Sequence, residues 1–180
     1  INIELPEDVN DAIDAALMTT VGTTQVSGQN VNKPQVGPFV AAKAASTYVE
    51  FAAAVPTRTE LLTMKANVAK TGVLMANPCW VMTEDMKAKL EDEKVDNGSG
   101  RFVCENGMIL GYPVYTTAHI EAGYVGFGDW SYQAAGFFGD ESILVDPYSL
   151  ADKNQVRFVL NTAFATATLR PEAFCLGGHA

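Results

Sequence analysis

The sequence predicts an α+β fold, with helices concentrated in the first half of the chain and strands in the second. In the first half, apolar residues recur at intervals of three and four between helix-capping signals. In the second half, short β-prone segments are separated by glycine-containing turns. A third observation is the segment Gln155–Leu169, which is rich in Val, Phe, Thr and Ala and contains neither Gly nor Pro. Helices followed by strands are typical of the α+β class.

Four helices are predicted from their caps and apolar stripes. In chain order, they run from Pro6 to Thr19–Gly22, from Val40 to Val55 before Pro56, from the capping box of Thr57 and Glu60 to Gly72, and from the cap residue Thr83 to Leu90. The segment Thr23–Pro38 has no hydrophobic period and predicts a long loop. A loop of that length is uncommon unless it serves a function or a contact.

Short strands are predicted for most of the remaining chain. Residues 73–75 and 79–82, around Asn77-Pro78, predict a buried strand, and the segments after it are 101–104, 108–110, 114–117, 124–127 and 133–138. Asp96–Gly100 has the composition of a turn, and Gly128–Ser131 predicts a tight bend at a sheet edge. No internal repeat interrupts this order.

The segment Gln155–Leu169 follows a hinge at Asp146-Pro147-Tyr148 and is predicted as a long strand. Its apolar residues also recur every four positions, so a helix stays the alternative, but the β-branched and aromatic content favours a strand. The even-numbered residues Val156, Phe158, Leu160 and Phe164 would share one face, and alanines the other. Fully extended, the segment would measure roughly 50 Å. Such a strand indicates an elongated lobe that leans on another body, such as copies of the same chain.

The composition is that of a globular protein with more acidic than basic residues. Its 180 residues suffice for one domain or two small lobes, and 48% hydrophobic against 18% charged residues excludes wholesale disorder. The formal charge is -9, from 12 basic and 21 acidic residues, and no run of Lys or Arg could follow a phosphate backbone. Direct nucleic-acid binding is therefore disfavoured. No apolar run approaches the ~18 residues that span a bilayer, and no secretory signal is visible.

Two further features concern processing and redox state. The chain starts at Ile1 and not at Met, so we expect the gene product to begin upstream and this chain to be a fragment or a processed product. Cys79, Cys104 and Cys175 form an odd, scattered set, which argues against a disulfide framework and for a reducing compartment. We expect all three to be buried small apolar side chains.

No catalytic, metal-binding or cofactor-binding residue is predicted. His119 and His179 lack the ligand spacing of a metal site, and no G-x-S-x-G nucleophile motif occurs. The glycines at 123, 126 and 128 lack the spacing of a phosphate-binding loop. Asp92–Gly98 fails as a calcium loop because Val95 stands where an oxygen ligand is needed. The acidic pairs at 84–85 and 140–141 fit solvated helix starts and turns.

An ordered set of short motifs extends over about a hundred residues, from Asn77 to Phe174. The set comprises Asn77–Met82 with the helix after it, Gly100-Arg101-Phe102, Leu110–Val114, Phe127–Tyr132, and Phe164–Leu169 continuing into Arg170–Phe174. In this order and spacing, the motifs resemble the major capsid proteins of tailed phages, the Hong Kong 97 fold family. The part of the chain before Asn77 matches that family in outline only.

The resemblance implies an α+β capsid fold with a compact axial lobe and an elongated peripheral lobe of one long helix and long strands. Residues 1–22 would be part of the peripheral spine helix, 23–145 the axial lobe, 146–170 a long peripheral strand, and 171–180 a strand that returns to the axial lobe. The family also carries an N-terminal arm and an extended loop ahead of the spine helix, and neither is visible before Ile1. No crosslinking lysine can be assigned here.

The function implied by the resemblance is structural and non-enzymatic. The chain would be a major capsid protein of a tailed phage or prophage, assembled in the bacterial cytoplasm into pentamers and hexamers of an icosahedral shell that encloses double-stranded DNA. Its partners would be copies of itself, with scaffolding, protease and portal proteins, and DNA without sequence-specific contacts. No cofactor and no membrane are implied. We expect Trp130, Tyr132, Arg157 and Arg170 at subunit interfaces.

Two alternatives remain at this point. An encapsulin-like shell would share the fold and hold cargo enzymes in place of a genome, and the neighbouring genes would distinguish the two. A small α+β enzyme or ligand-binding domain is the alternative from another class. A pocket with convergent polar groups would favour it.

Overall fold

The computed structural model describes residues 5–18, 37–44, 47–95, 98, 100–148, 153 and 156–179. Within them, the helices are α1 (Leu5–Met18), α2 (Pro38–Ala44), α3 (Arg58–Lys70) and α4 (Glu84–Asp92). The strands are β1 (Val49–Glu50), β2 (Pro78–Met82), β3 (Cys104–Glu105), β4 (Met108–Ile109), β5 (Tyr112–Thr116), β6 (Tyr124–Asp129), β7 (Gln133–Asp146), β8 (Arg157–Thr168) and β9 (Phe174–Gly178). The predicted α+β class is confirmed.

The strands form two separate sheets. Seven of them form one mixed sheet in the order β1-β9-β6-β2-β5-β4-β3, in which β1 pairs with β9 and β2 pairs with β5 in parallel. The strands β7 and β8 pair only with each other in the described chain, as an antiparallel two-stranded sheet. We call the seven-stranded sheet with α2, α3 and α4 the body, and the pair β7–β8 the ribbon.

The body has a hydrophobic core on each face of its sheet. On β2, Trp80 and Met82 point to one face and Cys79 and Val81 to the other, as the two-residue period of a strand requires. The Trp80 face is covered by apolar residues of α3 and α4, namely Leu61, Met64, Val68, Met86 and Leu90. The opposite face is covered by Phe39 and Ala42 of α2. Both faces of the central strands are therefore buried.

Two glycines let aromatic rings lie directly on the sheet. A Cβ at Gly126 would come within 2.2 Å of the Phe39 ring, and a Cβ at Gly177 within 2.3 Å of the Phe51 ring. Both distances are far below van der Waals contact, so any side chain at either position would displace the ring. These glycines allow α2 and the segment after β1 to pack closely against β6 and β9.

Three of the four predicted helices are confirmed, and the second helix is shorter than predicted. The capping box at Thr57 and Glu60 is formed, and the cap at Thr83 accepts from the amide of Met86. The second helix was predicted up to Val55 and in fact ends at Ala44. Beyond it, β1 pairs with β9 and Phe51 enters the core, so tertiary packing overrides the helical stripe. The predicted C-terminal end of the first helix, Thr19–Gly22, and residues 23–36 of the predicted loop lie outside the described residues.

The strand predictions are mostly confirmed, with shifted boundaries. Residues 73–75 form no strand, and the strand predicted at 101–104 is confined to Cys104–Glu105. The bend at Gly128–Ser131 is present, but it ends β6, which lies inside the sheet and not at its edge. Most of the predicted turn at Asp96–Gly100 lies outside the described residues.

The long C-terminal segment is a strand, as predicted, and not a helix. It extends over Arg157–Thr168, and its partner β7 reaches Asp146, eight residues beyond the predicted end at Phe138. The prediction stopped at Phe138 because Gly139 and Asp140 have turn chemistry. In the structure this stretch is a bulge inside the strand, with a register shift between Phe138 and Ser142.

Candidate assembly surface

The ribbon has one markedly apolar face. Phe137 lies opposite Phe164, and Val145 lies opposite Phe158, so these side chains share a side of the ribbon. The same side carries Ile143, two residues before Val145. We call these five residues, Phe137, Ile143, Val145, Phe158 and Phe164, the apolar face. The other side is mixed, since it includes the pair of Asp146 and Arg157.

The apolar face is largely open to solvent. The exposed fraction is 61% for Phe137 and 61% for Ile143, and Val145 and Phe158 are exposed as well. On the other side of the ribbon, Leu144 is also exposed. A two-stranded sheet on its own is marginally stable in water. Contiguous exposed apolar surface of this kind marks a site of protein–protein contact in soluble proteins.

The carboxylate of Asp129 fixes the root of the ribbon. This side chain is buried and accepts hydrogen bonds from the amides of Ala76 (2.6 Å) and Asn77 (3.1 Å). It also accepts from the amide (3.0 Å) and hydroxyl (2.7 Å) of Ser131. Burial acts to raise the pKa of Asp129, but these hydrogen bonds outweigh it and lower the pKa below the ordinary value. An ionised Asp129 thus joins the start of β2 to the turn between β6 and β7.

Two predicted interface residues, Trp130 and Tyr132, lie in the 3₁₀ turn that follows Asp129. The Trp130 ring packs edge-on against Phe39, at 5.8 Å between centroids, and against Phe174, at 5.5 Å. The Tyr132 hydroxyl donates to the carbonyl of Leu74 at 2.8 Å. Both side chains are half-buried and anchor the turn to the body.

The two predicted arginines lie at opposite ends of β8. Arg170 is exposed beside the root, just before the short 3₁₀ turn Pro171–Ala173. Arg157 is exposed at the far end, where β8 begins. Eleven residue steps along a strand correspond to about 36 Å. The structure therefore groups Trp130, Tyr132 and Arg170 at the root and separates Arg157 from them, and none of these observations tests their role at an interface.

The apolar residues beyond the bulge were missed by the sequence reasoning. Ile143, Leu144 and Val145 form a β-prone apolar run, and this run was the available signal. It was overlooked because the turn-like residues before it suggested that the strand had ended.

The helix α1 joins the body near its C-terminal end. Ala16 is fully buried, and α1 packs against α2 and also approaches β8. Asp11 contacts His119 at hydrogen-bond distance, with 2.6 Å between Oδ1 and Nε2. His179 bonds elsewhere, to the carbonyl of Phe51. Among the described residues, no group of three His, Cys, Asp or Glu side chains could hold a metal ion.

The three cysteines are free and buried, as predicted. Burial raises the pKa of the Cys79 thiol to about 11 and that of Cys175 to about 12. Burial also raises the pKa of Cys104. All three therefore remain protonated near neutral pH and act as small apolar side chains. Within the described ranges, no helix has the length and hydrophobicity to cross a membrane.

The comparison that decides the family covers almost the whole chain. The model of the phage capsid family matches residues 1–178. The chain belongs to the phage capsid family. This membership confirms the resemblance inferred from the sequence motifs. A comparison with curated sequences finds no match.

Solved capsid structures share the fold at low sequence identity. The capsid of an empty GTA particle aligns with a TM-score of 0.69 and 22% identity, over 98% of this chain and 64% of that one. Microbacterium phage Oxtober96 gives 0.70 and 12%, over 97% and 62%. Gordonia phage Cozz gives 0.67 and 17%, over 98% and 61%. This capsid-family chain thus spans less than two thirds of the length of these similar chains.

Proposed function

We propose that the chain is the main part of a phage major capsid protein that assembles with copies of itself into the shell of a virion. The observation that supports this most directly is the exposed apolar face of the ribbon. Phe137 and Ile143 would each contribute about 1–2 kcal/mol if a neighbouring subunit covered them. A capsid family supplies such neighbours, because a symmetric shell repeats each contact many times.

Because a shell repeats each subunit contact many times, modest individual contacts are enough to hold the shell together. Each subunit in a closed shell is held by several neighbours at once, so the loss of one contact does not release it. An exposed ribbon would be an aggregation hazard in a monomer. In a shell it becomes an extended contact surface, and its solvent exposure in one isolated chain is the expected state before assembly.

The lobe assignment follows from the two sheets. We assign the body to the axial lobe, and α1 with the ribbon to the peripheral lobe. We propose the boundary at Gln133 in place of residue 146; the pairing of β7 with β8, and with no strand of the large sheet in the described chain, supports this choice. The strand β9 belongs to the axial lobe, since it pairs with β1 and β6. The last part of the predicted division, 171–180, is kept unchanged.

The same proposal extends to the other components of the particle. Pentamers and hexamers would build an icosahedral shell around double-stranded DNA, with scaffolding, protease and portal proteins taking part during assembly in the bacterial cytoplasm. The formal charge of -9 suits a wall that encloses DNA without gripping it. The similar structures are named as phages and GTA particles, which favours a genome container over an encapsulin-like cargo shell.

Electron microscopy of the full-length gene product at high concentration tests this proposal. We expect closed particles or ring-shaped capsomers of uniform size. A protein that stays monomeric at all concentrations, alone and with the products of the neighbouring genes, would contradict the proposal. Terminase and portal genes beside its gene would support a phage shell, and a cargo-enzyme gene would instead support an encapsulin-like shell.

A further inference from the structure

The body carries a basic groove that the ribbon proposal does not use. The groove has a volume of about 590 Å³ and is lined by residues of α3, by Val95 and by residues between Arg101 and Gly111. Its cationic lining residues are Arg58, Lys65 and Arg101, and its acidic one in the described chain is Glu105. The described lining residues therefore carry a formal charge of three minus one, or +2, on a chain whose total is -9. Basic charge is concentrated here.

The rim of the groove is apolar. Leu62, Phe102 and Met108 line it and are exposed large hydrophobic side chains. The ammonium of Lys65 lies 4.7 Å above the Tyr112 ring, and Arg101 forms an ion pair with Glu105 at 3.2 Å, so these two cations are held in place. A partner for such a groove would be an acidic segment with apolar groups beside it.

One cation in the groove is unfavourable for its own helix. Arg58 is the first residue of α3, directly after the cap Thr57. A positive charge at a helix N-terminus opposes the helix dipole, which favours negative charge there. A local preference that is broken without an evident gain within the chain indicates a role outside it.

The C-terminal end of α4 carries acidic charge, which is also unfavourable for its helix. Glu91, Asp92 and Glu93 are exposed where the helix dipole favours positive charge. Glu91 reaches Lys87 only at 3.9 Å, and among the described residues Asp92 and Glu93 form no ion pair. This acidic end adjoins the groove wall, because the carbonyl of Glu93 accepts from the amide of Val103.

We propose that the basic groove of one subunit receives the acidic end of α4, Glu91–Glu93, from the next copy of the chain. This inference rests on the proposed shell function and names one of its contacts. A ring of identical subunits requires two different, complementary patches on each chain. Arg58 and Lys65 of one copy and Asp92 and Glu93 of the next are complementary in charge. Arg58 stands where the helix dipole disfavours a cation, and Asp92 and Glu93 form no ion pair among the described residues. Apolar contact at Leu62 and Met108 would surround these charges.

Charge reversal in the full-length protein tests the contact. In Arg58→Glu/Lys65→Glu, the protein concentration needed for capsomers or particles should rise by about tenfold or more, since like charges would face each other. Adding Asp92→Lys/Glu93→Lys to the same chain should restore assembly. Lys70→Glu, on the same helix but not lining the groove, is the matched control and should assemble normally. Light scattering with electron microscopy measures all four proteins.

Each outcome bears on one proposal. Normal assembly of the groove variant, or a loss that the α4 variant does not repair in a folded protein, would overturn the inference and leave the shell function standing. If the unmodified protein itself never assembles, the shell proposal fails. Should the reversed variant not fold, as judged by circular dichroism, Arg58→Gln/Lys65→Gln replaces it. Its assembly should also need a higher protein concentration, because the cations that attract the carboxylates are gone, whereas Lys70→Gln should assemble normally.

Discussion

The body and the ribbon differ most in the solvent exposure of their large apolar side chains. In the body, Trp80 and Phe127 are almost completely buried, with 4.4 Å between their ring centroids. In the ribbon, Phe137 and Ile143 lie on the same paired strand, on either side of its bulge, and are mostly exposed. The two regions have similar local chemistry, since both are β-strands rich in aromatic and β-branched residues. The body thus completes its core within one chain, and under the proposed function the ribbon would complete its core with another.

This comparison leads to predictions that separate stability of one chain from assembly. Mutations at the centre of the body should lower the unfolding free energy most, and mutations in the ribbon should lower it least. Mutations in the ribbon should instead have the largest effect on assembly. The four changes below follow that order.

The largest loss of stability is expected for Trp80→Ala. The Trp80 side chain is fully buried and its indole nitrogen donates to the carbonyl of Ile109 at 3.0 Å. Its removal should lower the free energy of unfolding by about 3–5 kcal/mol. Phe138→Ala in the ribbon is the matched control and should cost less than about 1 kcal/mol. Urea denaturation of the unassembled chain measures both, and equal losses would remove the distinction between the two regions.

Asp129→Asn should cost about 2–3 kcal/mol, because it weakens hydrogen bonds to a buried carboxylate and leaves donors poorly paired. The pKa of Asp129 in the folded chain is below its ordinary value, so the ionised group contributes stability above that ordinary pKa. That contribution is lost as the pH falls through the lowered folded-state pKa.

The pH dependence provides the check on this assignment. The stability difference between the unmodified chain and Asp129→Asn should be constant at neutral pH and should shrink below about pH 4. Asp85→Asn, an exposed acid on α4, is the control, with an expected change below about 1 kcal/mol. A difference that does not depend on pH would show that Asp129 is not ionised in the folded chain.

Thr57→Ala should lower stability by about 1 kcal/mol through loss of the helix cap. The Thr57 hydroxyl accepts from the Glu60 amide, and the Glu60 carboxylate accepts from the amides of Thr57 and Ala52, both at 2.7 Å. Thr59→Ala in the same turn is the control, since Thr59 is not part of the capping box. Thermal unfolding measures the pair, and an equal effect of the two changes would mean that the cap is not the cause.

The smallest effect on stability and the largest on assembly are expected for Phe137→Ser/Ile143→Ser. Both side chains are exposed in the single chain, so the unfolding free energy should change by no more than about 0.5 kcal/mol per site. Particle formation by the full-length protein should be lost. Tyr115→Ser removes a side chain of equal exposure, 61%, from the body and should leave assembly intact. Particles of normal yield from the ribbon variant would argue against the apolar face as an assembly surface.

Local signals in the sequence predicted most elements whose formation depends on neighbouring residues. The caps at Thr57 and Thr83 and the strand nature of 157–168 are examples. The second helix was predicted too long because pairing of Val49–Glu50 with β9 involves residues far apart in the chain. The sequence could not reveal the bulge at Gly139 either, because turn chemistry and bulge chemistry use the same residues.

The assembly surface was harder to predict than the fold. We predicted interface positions for Trp130, Tyr132, Arg157 and Arg170. The structure uses Trp130 to anchor the turn against Phe39 and Phe174. Whether a large side chain is covered within its own chain depends on the sheet to which its strand belongs. In the described chain, β7 and β8 pair only with each other. This pairing depends on the tertiary structure and cannot be predicted from hydrophobic periodicity.

Hydrogen exchange along the ribbon tests the central claim most directly. The amide exchange rates of β7 and β8 would be compared between the unassembled chain and assembled particles, with β2 and β6 of the body as internal references. We expect ribbon amides to exchange at least about a hundredfold more slowly in the particles, and body amides to be protected in both states. Equal protection of the ribbon in the single chain and in the particle would contradict the claim that a neighbouring subunit completes its core.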